Sequence, residues 1–164
     1  MTNTYIALST ITLATATSSV TFGSIPQTYR DLVLVIFARS ASTDSNLRLR
    51  FNGDSGSNYT YVRMFGNGSS AFSDSTGSSG LQVARLTQNN AAEYGTGMNH
   101  IMDYSATDKH KTVLSRTGVA SAFTFANAGR WANTAAITSL TFTGYDSGFD
   151  IGSGTTFSLY GIAG

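Results

Sequence analysis

Two histidines, nine carboxylates and two lysines are the side chains this 164-residue chain offers for acid–base or metal chemistry, and it has no cysteine. His100 lies in Met98-Asn99-His100-Ile101-Met102-Asp103-Tyr104, a strand-like run with an acid three residues on. Strand alternation sends positions three apart to opposite faces, so His100 and Asp103 are not expected to meet. His110 sits in Asp108-Lys109-His110-Lys111, which reads as a solvated turn. Neither histidine has a nucleophile and an orienting group at a spacing that catalysis would need. The acids Asp31, Asp44, Asp54, Asp74, Asp103, Asp108, Asp146, Asp150 and Glu93 fall mostly in turns, where aspartate caps its own backbone. No two stand out as a glycosidase pair. The expectation is a protein that is not an enzyme, with no catalytic residues.

Metal and phosphate motifs are equally thin. Asn52-Gly53-Asp54-Ser55-Gly56-Ser57-Asn58 places oxygen ligands at alternate positions, as a calcium loop does. A calcium loop also needs several carboxylates and a distal glutamate, and Glu93 is far along the chain. A hairpin turn accounts for the segment better. Gly66-Asn67-Gly68 lacks the lysine and following helix of a phosphate cradle. No metal and no cofactor are expected.

Binding residues are easier to name. Tyr59, Tyr61 and Phe65 could form part of a flat aromatic row for sugar stacking. The alternative puts Tyr61 and Phe65 in the core with Tyr59 at the edge of a turn. Arginine outnumbers lysine eight to two. Arg48, Arg50, Arg63 and Arg85 all fall in predicted strands and are expected on outward faces. Arginine is enriched at protein interfaces because its planar fork hydrogen-bonds and stacks, so these four are the candidate interface.

The elements that must hold these residues are strands. Charged residues make up only 12% of the chain, and the helix formers glutamate and lysine are nearly absent. Threonine, which suits a pleated surface, and serine and glycine, which suit turns, take their place. Leu47, Leu49 and Phe51 alternate with Arg48, Arg50 and Asn52, a period of two that puts the apolar set inward. Leu32 to Ala38 (LVLVIFA) is a continuous apolar run, expected to be a strand covered on both faces. Further strands are expected at Tyr5 to Ser9, Ile11 to Thr15, Ser19 to Phe22, Thr60 to Phe65, Leu81 to Leu86 and Met98 to Tyr104. Others follow at Thr112 to Arg116, Val119 to Phe125, Ile137 to Phe142 and Thr155 to Ile162. Asn52-Gly53, Gly66-Asn67-Gly68 and Asp146-Ser147-Gly148 mark reversals, and Pro26 sits in a connection. Gln88 to Ala92 is a place for a short helical turn.

The expected fold is therefore all-β: a jelly-roll-like β-sandwich of about eight to ten short antiparallel strands. Residues 1–164 read as a single domain. Within it, 1–29 is either an uncharged N-terminal arm or ordinary strands, and 66–80 is a long Gly/Ser-rich surface loop. A net charge of +1 argues against nucleic acid as a partner, and no apolar run of membrane-spanning length is present. The first charge is Arg30, so a secretory signal is not expected. Asn58 and Asn67 head glycosylation triplets but read as turn residues. A chain this poor in charge tends to associate.

Several segments resemble the small virion proteins of tailed bacteriophages, in particular cyanophage-like ones. They are Ser19-Val20-Thr21-Phe22 with Ser24-Ile25-Pro26-Gln27-Thr28-Tyr29 and Asp31-Leu32-Val33-Leu34, then Leu47 to Asp54 with Ser57-Asn58-Tyr59. Trp131 to Leu140 and the ending Thr155 to Ile162 complete the likeness, which spans nearly the whole chain apart from Gln88 to Phe125. The resemblance implies a structural virion protein: a capsid decoration (cement) protein or a tail component, commonly a jelly roll. It implies a homotrimer whose partners are other virion proteins, the major capsid protein foremost, and localisation in the virion. A tail-associated module that binds host glycans is the alternative.

Overall fold

A computed structural model describes residues 4–87, 93–145 and 149–164 of the chain. The turn expected at Gln88 to Ala92 and the reversal at Asp146-Ser147-Gly148 lie outside these residues. Among the described residues there are twelve strands, and every strand pair is antiparallel. In chain order they are β1 (Tyr5–Thr12), β2 (Ser19–Phe22), β3 (Asp31–Ala38), β4 (Ser45–Phe51), β5 (Tyr59–Gly66) and β6 (Ala71–Ser78). Then come β7 (Leu81–Leu86), β8 (Gly95–Met102), β9 (Lys111–Val119), β10 (Phe123–Trp131), β11 (Leu140–Gly144) and β12 (Thr156–Ile162). They form an eight-stranded sheet, ordered β1-β12-β3-β8-β9-β10-β5-β6, and a four-stranded sheet, β2-β11-β4-β7. The all-β sandwich is as expected, but it has twelve strands among the described residues where eight to ten were expected. Its eight-to-four division leaves the jelly-roll label unsupported, since a jelly roll distributes eight strands.

The core lies between the sheets. Leu47, Leu49 and Phe51 on β4 are fully buried, as their alternation requires. They meet a cluster in which Phe51, Tyr59 and Trp131 pack at centroid distances of 5.4 to 6.4 Å. The Tyr59 hydroxyl accepts from the Phe51 N–H at 3.0 Å and donates to the Asp54 carbonyl at 3.1 Å, so this large polar ring is buried without an orphan atom. At the other side β7 closes onto β8. A side chain at Gly95 or Gly97 would strike the carbonyl of Arg85 or Val83, so glycine is what lets the two backbones approach.

Four expectations need correction. The stretch from Gly66 to Gly80 is not a loop: it turns at Asn67, whose Oδ1 accepts from the N–H of Ser69 and Ser70, and returns as β6 in unbroken register with β5. Serine and glycine hide this strand because its pairing is supplied by β5, not by propensity. The strand expected across Val119 to Phe125 is broken by a turn at residues 120–122, closed by Ala122 N–H to Val119 O, where β9 ends and β10 begins. The apolar run of β3 is covered on both faces only in its first half, and Val35 and Phe37 point out of the sandwich into solvent. Lys111 is not in a solvated turn but fully buried, its ammonium donating to the carbonyls of Lys109 (2.9 Å) and Thr134 (3.1 Å). As for the N-terminal segment, β1 pairs with β12 and β2 with β11, so both are strands of the sandwich.

Candidate protein interface

The two groups that came nearest to a chemical motif, His100 and the Asp54 loop, are both tied into the fold. His100 Nε2 lies 3.1 Å from Asp31 Oδ2, which also takes Arg30 Nε at 3.0 Å. The other Asp31 oxygen accepts the N–H of Asp103 at 2.9 Å, fixing a residue with φ of 47° at the end of β8. Burial pushes the Asp31 carboxyl up, but the Asp103 N–H, His100 and Arg30 together outweigh it and hold it below its ordinary value. An aspartate-oriented imidazole is half of a catalytic device. The residues opposite His100 in the sheet are Val33 and Leu114, neither of them a nucleophile. The pair therefore anchors a turn. Asp31 and His100 are 69 residues apart, so nothing local in the sequence marked the pairing.

The Asp54 loop is likewise filled from within. Its carboxylate accepts from Trp131 Nε1 at 2.7 Å, Asn58 Nδ2 at 2.9 Å and the Gly56 N–H at 2.9 Å. The Trp131 hydrogen bond is the largest reason its carboxyl sits below the usual range. Three donors from the chain itself therefore meet these oxygens. No cluster of three or more metal-ligating side chains occurs among the described residues.

The four arginines do not form one surface. Arg48 and Arg50 do project from the outer side of the small sheet. There Arg48 lies over the Tyr145 ring at 4.6 Å and donates to its carbonyl, and Arg50 donates to Ser79 O at 2.8 Å. Arg63 corrects the expectation of an outward face. It shares the inward row of β5 with Tyr59 and Tyr61 and lies over the rings of Tyr61, Phe65 and Phe125. It clamps Asp74 with bonds of 2.7 and 2.8 Å and reaches Gln82 Oε1 of the small sheet at 2.6 Å. Arg85, also expected on an open face, spans the sheets from β7 to lie over Phe123 at 5.2 Å. Its guanidinium also lies 3.9 Å from the Asp44 carboxylate. Both guanidiniums are drawn in because aromatic faces and a carboxylate offer them more than water does. Tyr59 and Tyr61 are buried, so the aromatic row considered for sugar stacking is not on display.

What is on display is the outer face of the large sheet. Residues directly opposite in antiparallel strands share a face, and two rows follow from the register. One runs Val33, His100, Leu114, Ala128, Val62; the other Val35, Met98, Arg116, Ala126, Met64. Met64 is 64% exposed, and Val62, Met98 and Leu114 are close behind. Ala126 and Ala128 make a low floor along β10 between the taller rows of β9 and β5, and three shallow depressions share their walls there. Arg116, Arg130 and His100 are the ionisable groups facing outward from β8, β9, β10, β5 and β6, and no carboxylate joins them on those strands. The signal for this face was in the sequence as the complement of each inward row: Val62 and Met64 alternate with Tyr61, Arg63 and Phe65.

No protein-family model matches this chain, and no curated protein matches it. Among solved structures, a protein of unknown function from Shewanella oneidensis MR-1 aligns with 99% of this chain and 77% of its own, at 11% identity and a TM-score of 0.22. That likeness is too slight to bear on fold or function.

Proposed function

We propose that the chain is a non-enzymatic structural protein of a phage virion, a capsid decoration protein that stabilises the shell by packing against other protein chains, the major capsid protein foremost. The observation that carries this reading is the outer face of the large sheet. Solvent-exposed sheet faces are normally polar, and here Val35, Met98, Leu114, Val62 and Met64 stand exposed together. Eight strands about 4.8 Å apart and about seven residues long make a face on the order of 800 Å². A stable interface takes roughly 800 Å² from each partner, so the area suffices. Burial of the apolar rows would supply affinity, and Arg116 and Arg130 would set register against acceptors on the partner. The glycan-binding alternative has lost its aromatic row to the core.

The test is incorporation into particles. Val62→Glu with Met64→Glu places unpaired charge in the proposed contact and should lower the amount of chain on purified particles by roughly tenfold or more. Wild-type incorporation of this variant would sink the proposal.

A further inference from the structure

A two-sheet sandwich has four strand edges, and three of these are guarded. Edge strands invite pairing with other chains unless they are short, bulged, covered or charged. β2 has four residues. β1 carries a bulge between Ala7 and Ser9. β7 is closed off by the large sheet, with Asn127 Nδ2 donating to Gln82 O at 3.1 Å and a bridge from Arg39 to Thr87. Among the described residues β6 is neither short, bulged nor covered along its edge. It is eight residues long, pairs with β5 without a shift, and is exposed along nearly its whole length. Its one charge, Asp74, is already held by Arg63.

We propose that the free edge of β6 pairs with β6 of a second copy of this chain, joining two large sheets into one continuous sheet. An antiparallel pair related by a two-fold axis must bring some residue opposite its own copy. Centring on Asp74 would set like charges against each other. Centring on Ser75 instead places Asp74 opposite a Thr76 hydroxyl, Ser73 opposite Gly77 and Phe72 opposite Ser78. The half-exposed Phe72 ring then gains a neighbour across the seam. Hydroxyl pairs across strands are how this chain joins its own edges: Thr10 to Ser158, Thr12 to Thr156, and Thr21 to Thr141. The axis stands perpendicular to the sheet, so both sandwiches lie on one side and the two outer faces merge on the other. The pairing does not depend on the virion reading, because it forms between copies of the isolated chain.

Light scattering on the full-length protein should give about twice the 17.3 kDa of one chain. Ser75→Lys sets two ammonium groups against each other and should yield monomer with an unchanged melting temperature, since Ser75 is exposed. Directly opposite residues have Cα atoms about 4.5–5.5 Å apart, within disulfide range. In a chain without native cysteine, Ser75→Cys should therefore cross-link to a covalent dimer under mild oxidation, while Ser9→Cys on the bulged edge should not. A wild-type mass of one or three chains overturns the proposal. So does an unchanged mass for Ser75→Lys, or a Ser75→Cys protein no more cross-linked than Ser9→Cys.

Discussion

The outer side of β4 and the outer side of β5 are both solvent-facing surfaces of single strands, yet they are built differently. On β4 the outward charged residues are Arg48 and Arg50, and each guanidinium is engaged by a neighbour within the chain. On β5 the outward residues are Thr60, Val62 and Met64, and the two apolar ones are covered by none of the described residues. A charged residue on a surface is not thereby available to a partner. An apolar residue left in water, in a row with others, is the more informative signal.

This contrast can be broken most severely from inside. Leu49→Ala, beneath the β4 arginines, should cost roughly 2–5 kcal/mol in denaturant unfolding, the usual penalty for a core cavity. Met64→Ala, at a side chain that is mostly in solvent, should stay within about 0.5 kcal/mol. Were Met64→Ala the more damaging, the assignment of faces would be inverted.

Next in size is Arg63→Ala. It strips the partner from Asp74 and from Gln82 Oε1 and removes the cation from three rings. Hydrogen bonds to charged groups contribute about 1.5–3 kcal/mol, and the partly exposed Asp74 places the loss toward the lower end. Arg50→Ala should cost less, since the hydrogen bonds of Arg50 go to the neutral Ser79 and not to a carboxylate. An equal loss at both positions would mean that Arg63 does not bridge the sheets.

The smallest effect concerns acid. Asp31 titrates below its ordinary value in the folded chain, so its contribution is fully present above the unfolded carboxyl pKa of about 3.9 and is lost as pH falls through the folded pKa. The melting temperature of the wild type should therefore fall more steeply below about pH 4 than that of Asp31→Asn. Parallel curves would remove Asp31 as the anchor of the Asp103 turn.

The sequence made some of this legible and hid the rest for physical reasons. Leu47, Leu49 and Phe51 advertise a buried face because each strand position between them is polar. Tyr59, Tyr61, Arg63 and Phe65 carry the same period, and read strictly it puts Arg63 inward. Residue type suggested outward, and the aromatic and carboxylate neighbours that reverse this come from β6, β7 and β10. β10 was misplaced because its outward positions include Ala126 and Ala128 and its inward ones include Asn127 and Gly129, which blur the contrast between faces. β6 was invisible because an edge strand of serine and glycine owes its existence to pairing, which no local pattern encodes.

The central claim is that the exposed apolar face of the large sheet is the contact surface. It is tested most directly by imaging particles that carry this chain at a resolution sufficient to dock the sandwich. The account predicts density in which β9, β10 and β5 turn Leu114, Ala126, Ala128, Val62 and Met64 against another protein chain. Particles in which that face looks into solvent while the Arg48 and Arg50 side of the small sheet holds the shell would contradict it.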